Sequence, residues 1–319
     1  MYIPWKTSCP TVSVRRTFIK EREIMFKSGF VTIIGRPNVG KSTLMNNMLG
    51  EKISIMSDKP QTTRNKIMTV YTDDEAQIIF IDTPGIHRPK NKLGEFMNTE
   101  VDSALEEMDV LIMITDEFNK VGPGDEFIIE KIKDLKCKKI LILNKIDLVD
   151  REAALRMAAE FEKYKVFDDI MPISALNNVG LDALIKLIIK YLKPGPMYFP
   201  ADYITDRPER FIVAEIIREK ALMYLEDEVP HGIAVEIEEM KERKGRDLVD
   251  IRANILCEKK SHKSIIIGKE GRKIKGIGKS AREDIERLLG SQVNLQLFVK
   301  VSENWRDDNY RLKTLGYFR

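Results

Sequence analysis

Phe30-Val31-Thr32-Ile33-Ile34 runs into Gly35-Arg36-Pro37-Asn38-Val39-Gly40-Lys41-Ser42, and Lys41–Leu49 continues at helical spacing. The octapeptide fits G-x-x-x-x-G-K-[ST], and an apolar strand before it with a helix behind it is the setting in which that pattern has a mechanical meaning. Glycines at 35 and 40 let successive backbone N–H groups point into one concavity. The positive end of the following helix adds to the same field, so the loop predicts a cradle for phosphate oxygens. Gly35, Arg36, Pro37, Asn38, Val39, Gly40, Lys41, Ser42 and Thr43 are its candidate residues. Lys41 can reach the β and γ phosphates of a nucleotide, and the Ser42 hydroxyl can ligate Mg²⁺.

Outward from this loop, short apolar runs recur at Ile78–Ile81, Val110–Ile114, Ile140–Leu143 and Ile170–Ile173. Amphipathic stretches lie between them, near Glu95–Glu107, Asp125–Leu135, Glu152–Tyr164 and Leu181–Tyr191. That alternation predicts an α/β fold, a mostly parallel sheet with helices on both faces. Ile67–Tyr71, joined to Ile78 through the polar turn Thr72–Glu75, predicts an antiparallel hairpin at the sheet edge.

Open α/β sheets bind ligands beyond the carboxyl ends of their strands, and the distinctive tetrapeptides fall there. Asp82-Thr83-Pro84-Gly85 follows Ile78–Ile81. Its aspartate can hold Mg²⁺ through a water, and the Gly85 N–H can sense a γ-phosphate. Asn144-Lys145-Ile146-Asp147 follows Ile140–Leu143. The Asp147 carboxylate can accept from the N1–H and 2-amino group of guanine, where adenine would leave the charge unpaired. Asn144 can bond the purine edge and support the loop, and the stem of Lys145 can lie over the base. The backbone N–H groups of Ser174-Ala175-Leu176, after the next strand, can reach guanine O6.

The chain has 319 residues, 43% hydrophobic and 32% charged, which predicts two folded domains rather than a disordered chain. No apolar run is long enough for a membrane-spanning helix. Cys9, Cys137 and Cys257 are far apart, and His87, His231 and His262 lack metal-ligand spacing. That excludes a disulfide framework and a cysteine or histidine metal centre, and it fits a reduced intracellular protein. Residues 1–28 predict a disordered extension, 29–192 the nucleotide-binding domain, 193–208 a proline-rich linker and 209–319 a second domain.

Charge is uneven in that second domain. Lys259–Lys279 carries eight Lys and Arg against one acid, Glu270. On charge alone the block reads equally as a solvated helix face or a phosphate-tracking surface. Its centre is Ile267-Gly268-Lys269-Glu270-Gly271-Arg272-Lys273, a G-x-x-G turn between helical patterns, with Lys275 just beyond. The element order is helix, strand, strand, helix, G-x-x-G, helix, strand. Order, turn and charge together resemble a type II KH domain, whose loop clamps a run of nucleotides. Ile267, Gly268, Lys269, Glu270, Gly271, Arg272, Lys273 and Lys275 are the candidate RNA-binding residues.

The ordered set GRPNVGKS, Thr62-Thr63-Arg64, DTPG, NKID and SAL resembles the GTP-binding domain of translation-associated small GTPases over about Phe30–Leu192. Within that group, Asp58–Asn65 is similar to the first switch of the Era GTPases, and a GTPase domain followed by a KH domain is their architecture. The resemblance implies that Thr63 joins Ser42 and Asp82 at Mg²⁺ when GTP is bound. Lys41, Thr63 and Gly85 become the candidate catalytic residues. It also implies that Asn38 helps hold K⁺ beside the phosphates. It further implies a cytoplasmic, monomeric GTP/GDP switch that binds 16S ribosomal RNA near its 3′ end during 30S subunit assembly, with peripheral contact at the inner face of the cell membrane. One departure from the Ras-like pattern stands out. Ile86 occupies the place of the water-orienting glutamine, which predicts slow intrinsic hydrolysis; the neighbouring His87 reads first as a loop residue. Two other classes compete. A GTPase partner of an RNA-modification or membrane-linked process finds no additional catalytic motif here. A passive RNA-binding module is at odds with intact Lys41, Ser42, Asp82 and Asp147.

Overall fold

The structure is a computed structural model that describes residues 25–50, 62–86, 88–106, 108–226 and 229–317. The expected N-terminal extension up to residue 24, Asp58–Gln61 of the switch stretch and His87 lie outside the described residues.

The first half begins with β1 (Lys27–Gly35) and α1 (Lys41–Leu49), then the hairpin β2 (Ile67–Thr72) and β3 (Ala76–Asp82). It continues as α2 (Lys92–Ala104), β4 (Val110–Thr115), α3 (Pro123–Ile132), β5 (Lys138–Leu143), α4 (Arg151–Glu162), β6 (Asp169–Pro172) and α5 (Leu181–Tyr191). The strand order is β2-β3-β1-β4-β5-β6. Every pairing along it is parallel except β2 with β3, where Ile67 faces Asp82 at the sheet edge as the hairpin pattern predicts. All six residues of β4 are buried. This is why it reads as an unbroken apolar run rather than an alternating one. Val31, Ile33, Ile112 and Ile142 pack towards α1 and α5, while Ile34, Leu111, Met113 and Leu141 pack towards α3 and α4. β1 has β3 on one side and β4 on the other, so strand order reverses at its carboxyl end, the place where such sheets bind ligands.

Caps explain where the helices depart from their periodicity. α2 begins three residues before the expected Glu95 because the Asn91 side chain accepts from the Gly94 N–H. Asp150 caps α4 through Ala153, and Pro123 opens α3. Two segment boundaries also shift. The N-terminal extension was expected through residue 28, yet Lys27 and Ser28 are already strand, paired with Ala76 and Gln77. The proline-rich linker is not a free spacer either. A short strand, β7 (Lys193–Pro194), pairs antiparallel with Lys27 and Ser28. The buried Gln77 side chain accepts from the amides of Tyr198 and Phe199 and donates to the Phe199 carbonyl. Ile204 and Thr205 then pair with Val70 and Thr69 on the outer edge of β2. An unpaired edge strand needs partners for its backbone groups, and the linker supplies them.

The second half comprises α6 (Glu209–Tyr224), β8 (Ala234–Glu242), β9 (Leu248–Cys257), α7 (Lys260–Ile267), α8 (Arg272–Leu289), β10 (Gln292–Val301) and α9 (Asn309–Thr314). β9 lies between antiparallel β8 and parallel β10. Ile216 and Ile217 of α6, Ile277, Ala281 and Ile285 of α8, and Ile251, Ala253 and Ile255 of β9 form one core. α8 starts directly after the glycine turn, and its glycine-bearing first half is helical too. A Cβ at Gly276 would lie 2.7 Å from the Tyr224 ring, so the glycine permits close approach of α6. No helix among the described residues is long and apolar enough to cross a membrane.

A further cluster joins the halves: Leu93 and Met97 of α2 pack with Ala234, Leu256, Trp305, Leu312 and Tyr317.

Candidate functional site

The loop at the end of β1 turns through left-handed backbone. Asn38 and Gly40 have φ of 66° and 98°, and Gly40 caps α1. A Cβ at Gly40 would sit 2.3 Å from the Asn144 amide, and one at Gly85 would sit 2.8 Å from the Pro37 nitrogen. The first glycine brings the phosphate loop against the Asn144–Asp147 segment, and the second brings Asp82–Gly85 against the phosphate loop. The Lys41 ammonium is buried and donates to the carbonyls of Gly35 and Arg36 at 3.2 and 2.9 Å. Burial pushes it down to about 8, with the carboxylates of Asp82 and Asp116 pulling the other way.

Three oxygens meet at the mouth of this loop. The Ser42 hydroxyl lies 3.0 Å from the Thr63 hydroxyl and donates to the Asp82 carboxylate at 3.3 Å. Thr63 and Asp82 are buried. Two hydroxyls and a carboxylate are a hard oxygen donor set, which fits Mg²⁺ and not a thiophilic metal. Thr83 fixes the turn by donating to the Ile33 carbonyl at 2.7 Å. Ile86 is buried in the core beneath α3, and its amide donates to Gly35. Its side chain therefore presents no polar group at the loop mouth.

The segments expected to read the base differ from expectation in where their polar groups are engaged. Asn144 was expected to bond the purine edge and to support the loop, and the second role is the one its bonds show. It is buried, donates to the Val39 carbonyl at 2.8 Å and accepts from the Ala175 amide at 2.9 Å, so it ties three loops together. The Ser174 amide donates to Val179. Of the three amides expected to reach O6, only that of Leu176 has no hydrogen-bond partner among the described residues. The Ser174 hydroxyl donates to Asp147, an anchor that the backbone reading of Ser174–Leu176 did not foresee. Asp147 itself is exposed, and Lys145 holds a left-handed backbone, φ 64°. The Arg36 side chain turns away from the loop mouth towards Asp116 and Asp125. Thr43 lies in the first turn of α1.

The G-x-x-G turn links α7 to α8. Gly268, Glu270 and Gly271 all have positive φ (71°, 53° and 72°). A Cβ at Gly268 would meet Lys273 at 2.7 Å. Lys269, Glu270 and Arg272 are exposed or nearly so, and Arg272 pairs with Glu270 at 3.0 Å. Sequence reasoning missed the groove beside the turn, about 320 Å³, lined by Ile274, Lys275, Gly278, Lys279, Arg282 and Leu297. The cations at 275, 279 and 282 repeat at helical spacing, and that spacing is the groove's signal in the sequence.

The two sites are connected through the segment that follows Thr63. Arg64, 2% exposed, donates to the Ile233 carbonyl at 2.8 Å and to the Tyr317 hydroxyl at 3.2 Å. Its guanidinium lies 5.5 Å from the Trp305 ring centroid and 5.8 Å from that of Tyr317. Asn65 donates to Gly316, and Arg218, itself held by Glu215, donates to the Thr62 carbonyl. Thr62, Arg64 and Asn65, which flank Thr63 at the loop mouth, are thus each held by the second domain. Arg64→Ala removes a desolvated cation–π contact and leaves a buried carbonyl unpaired. It is expected to cost about 3 kcal/mol, read as an earlier thermal transition and faster proteolytic cleavage of residues 195–208. Arg64→Lys is expected to recover only part of this, since an ammonium lacks the planar fork. A wild-type melting curve for Arg64→Ala would remove the energetic role of this contact.

Comparison with known proteins agrees with both halves. Residues 30–145 match the family described as 50S ribosome-binding GTPase, and residues 228–306 match the KH domain. The chain is 60% identical over 292 residues to the GTPase Era of Alkaliphilus metalliredigens, covering 92% of this chain and 99% of that one. It is 59% identical over 294 residues to that of Clostridioides difficile, with the same coverage. Among solved structures, it is similar to Era in complex with MgGDPNP and nucleotides 1506–1542 of 16S ribosomal RNA. The TM-score is 0.89 with 44% identity, covering 92% of this chain and all of that one. An Aquifex aeolicus Era variant bound to GDP·AlF4⁻ matches equally well. The likeness to these relatives runs through the GTPase half and the KH half alike, over nearly the whole chain, and the chain belongs to the Era GTPase family.

Proposed function

We propose that this chain is a GTP-hydrolysing switch that binds 16S ribosomal RNA near its 3′ end and acts in assembly of the 30S subunit. The observation that carries the reading is the meeting of the Ser42, Thr63 and Asp82 oxygens at the mouth of the phosphate loop, one residue from the arginine embedded in the KH half. The family matched by residues 30–145 is named for the 50S subunit, whereas the solved relative, 44% identical over 92% of this chain, holds a segment of 16S RNA. The latter weighs more, because it covers both domains.

In this reading Gly35–Thr43 cradles the phosphates, with Lys41 exchanging its carbonyl partners for phosphate oxygens. Ser42, Thr63 and Asp82 would hold Mg²⁺, which would neutralise charge on the transferred phosphoryl group. The Gly85 N–H faces the γ-phosphate. Asp147, anchored by Ser174, reads the guanine. The turn from Ile267 to Lys275 tracks the RNA backbone. GTP-dependent ordering of Thr63 would then be felt at once through Thr62, Arg64 and Asn65. The same reading makes the chain a cytoplasmic monomer, with peripheral contact at the inner membrane face resting on the family resemblance alone.

The test is to crosslink RNA to the full chain with GTP or with GDP and sequence it. Enrichment of the 3′ segment of 16S RNA with GTP is expected; RNA lacking that segment in both states overturns the proposal.

Hydrolysis is expected to be slow and faster in K⁺ than in Na⁺. Ile86 offers no group to orient water, while Asn38, exposed on the phosphate loop, can help hold a monovalent cation that offsets developing charge. Single-turnover phosphate release at equal ionic strength is the measurement. Equal rates in the two salts remove the monovalent-ion role and leave the GTPase reading standing.

A further inference from the structure

Four charged side chains converge beyond the carboxyl end of β4, and only two of them belong to a motif legible in the sequence. Asp116 accepts from Lys145 Nζ at 2.6 Å through one carboxylate oxygen and from Arg36 Nη2 at 3.0 Å through the other. Arg36 Nε donates to Asp125 at 3.0 Å, and the second oxygen of Asp125 accepts from Thr115 at 3.0 Å. Lys145 also donates to the Asn38 carbonyl at 3.0 Å. The phosphate loop, the end of β4, the first turn of α3 and the Asn144–Asp147 segment are joined through these bonds.

A solvated surface ion pair is worth little, but this arrangement differs from one in three ways. Asp125 is fully buried, and its carboxylate lies in the first turn of α3, where the helix dipole favours it. The first turn of α3 is shaped to the arginine, since a Cβ at Gly124 would lie 2.7 Å from Arg36 Cδ. Lys145 stands on a left-handed backbone with its ammonium tethered to two separate loops, so the course of its stem is fixed.

We propose that Asp116 is a positioning residue for guanine recognition, its carboxylate holding Lys145 of the base-reading segment and Arg36 of the phosphate loop in one frame anchored by Asp125. The proposal rests on the reading of Asn144–Asp147 as that segment and adds a residue outside it. Asp116 touches no base; it acts by keeping the Lys145 stem where the base would lie.

GDP affinity of the full chain, measured by calorimetry, tests this in a double-mutant cycle. Asp116→Ala is expected to weaken GDP about tenfold, a moderate value because the pair is partly solvated. Asp116→Asn, which keeps the shape and one acceptor oxygen, should fall between it and wild type and guards against a folding defect. In a Lys145→Ala background, Asp116→Ala should change GDP affinity less than about twofold, because its route of action is gone. A purely structural role would instead give losses that add. Additive losses, or wild-type affinity in Asp116→Ala while Lys145→Ala is impaired, overturn this proposal and spare the base-reading assignment. Unchanged GDP affinity in both Lys145→Ala and Asp147→Ala overturns that assignment, and this proposal with it.

Discussion

Asp147→Asn is expected to lower GTP affinity at least about a hundredfold and to raise affinity for xanthosine triphosphate. The carboxylate accepts two guanine donors in the proposed site, and an amide can accept one and must turn a donor towards the other, a loss of about 3 kcal/mol or more. Xanthine carries an oxygen in place of the 2-amino group, which the new amide can meet. The structure makes the change a clean one. Asp147 is exposed at the start of a short helical turn, and its one described side-chain bond comes from the Ser174 hydroxyl, which can also donate to the amide oxygen of an asparagine. Folding should therefore be undisturbed. Competition binding with GTP, XTP and ATP is the measurement. If ATP displaces bound GDP from wild type as well as GTP does, Asp147 does not read the base.

Replacing Lys269 and Glu270 together by aspartate is expected to weaken RNA binding about a hundredfold or more at low salt, with guanine-nucleotide affinity unchanged. The pair of substitutions turns a cation at the tip of the turn into an anion facing phosphates, and each lost phosphate contact also removes a released counterion. Both positions tolerate the change locally. Lys269 is exposed, and Glu270 already holds a left-handed backbone that aspartate adopts more readily than most residues. Acids just ahead of α8 also favour its N-terminus. The full chain is the proper subject, because Ala234, Leu256, Trp305 and Tyr317 of the second half are buried against α2 and would be exposed in a fragment. Filter binding of single-stranded RNA at several salt concentrations reads the effect. Wild-type affinity in the double variant would return the basic block to a solvated helix face.

Read in sequence, the phosphate loop, the strand ends and the glycine turn were all legible, because each is written in neighbouring residues. A glycine with φ of 98° at position 40, the apolar run Val110–Ile114 of the fully buried β4 and paired glycines at 268 and 271 are local requirements, and local composition reveals them. The parallel sheet followed from strand and helix periods for the same reason. The starts of α1 and α5 are legible as well, whereas α2 begins ahead of its apolar pattern because the Asn91 cap acts through one side-chain bond that leaves no periodic trace.

The assignment of polar partners was not legible. Asn144 reads as able to support its loop, but only the packing of Val39 and Ala175 beside it shows which groups its amide ties together. Arg36 reads as a phosphate-loop cation, yet β4 and α3 bring two carboxylates within its reach from about eighty positions away. The proline-rich stretch reads as a spacer, and only the open edge of β2 gives its backbone a place to pair. Arg64 reads as one more residue of a polar loop, although its bond to Tyr317 spans 253 positions. Backbone conformation and burial period are set by near neighbours and so are carried in the sequence. Which donor meets which acceptor depends on strand order and on how the two halves pack, and that is decided only when distant segments are brought together.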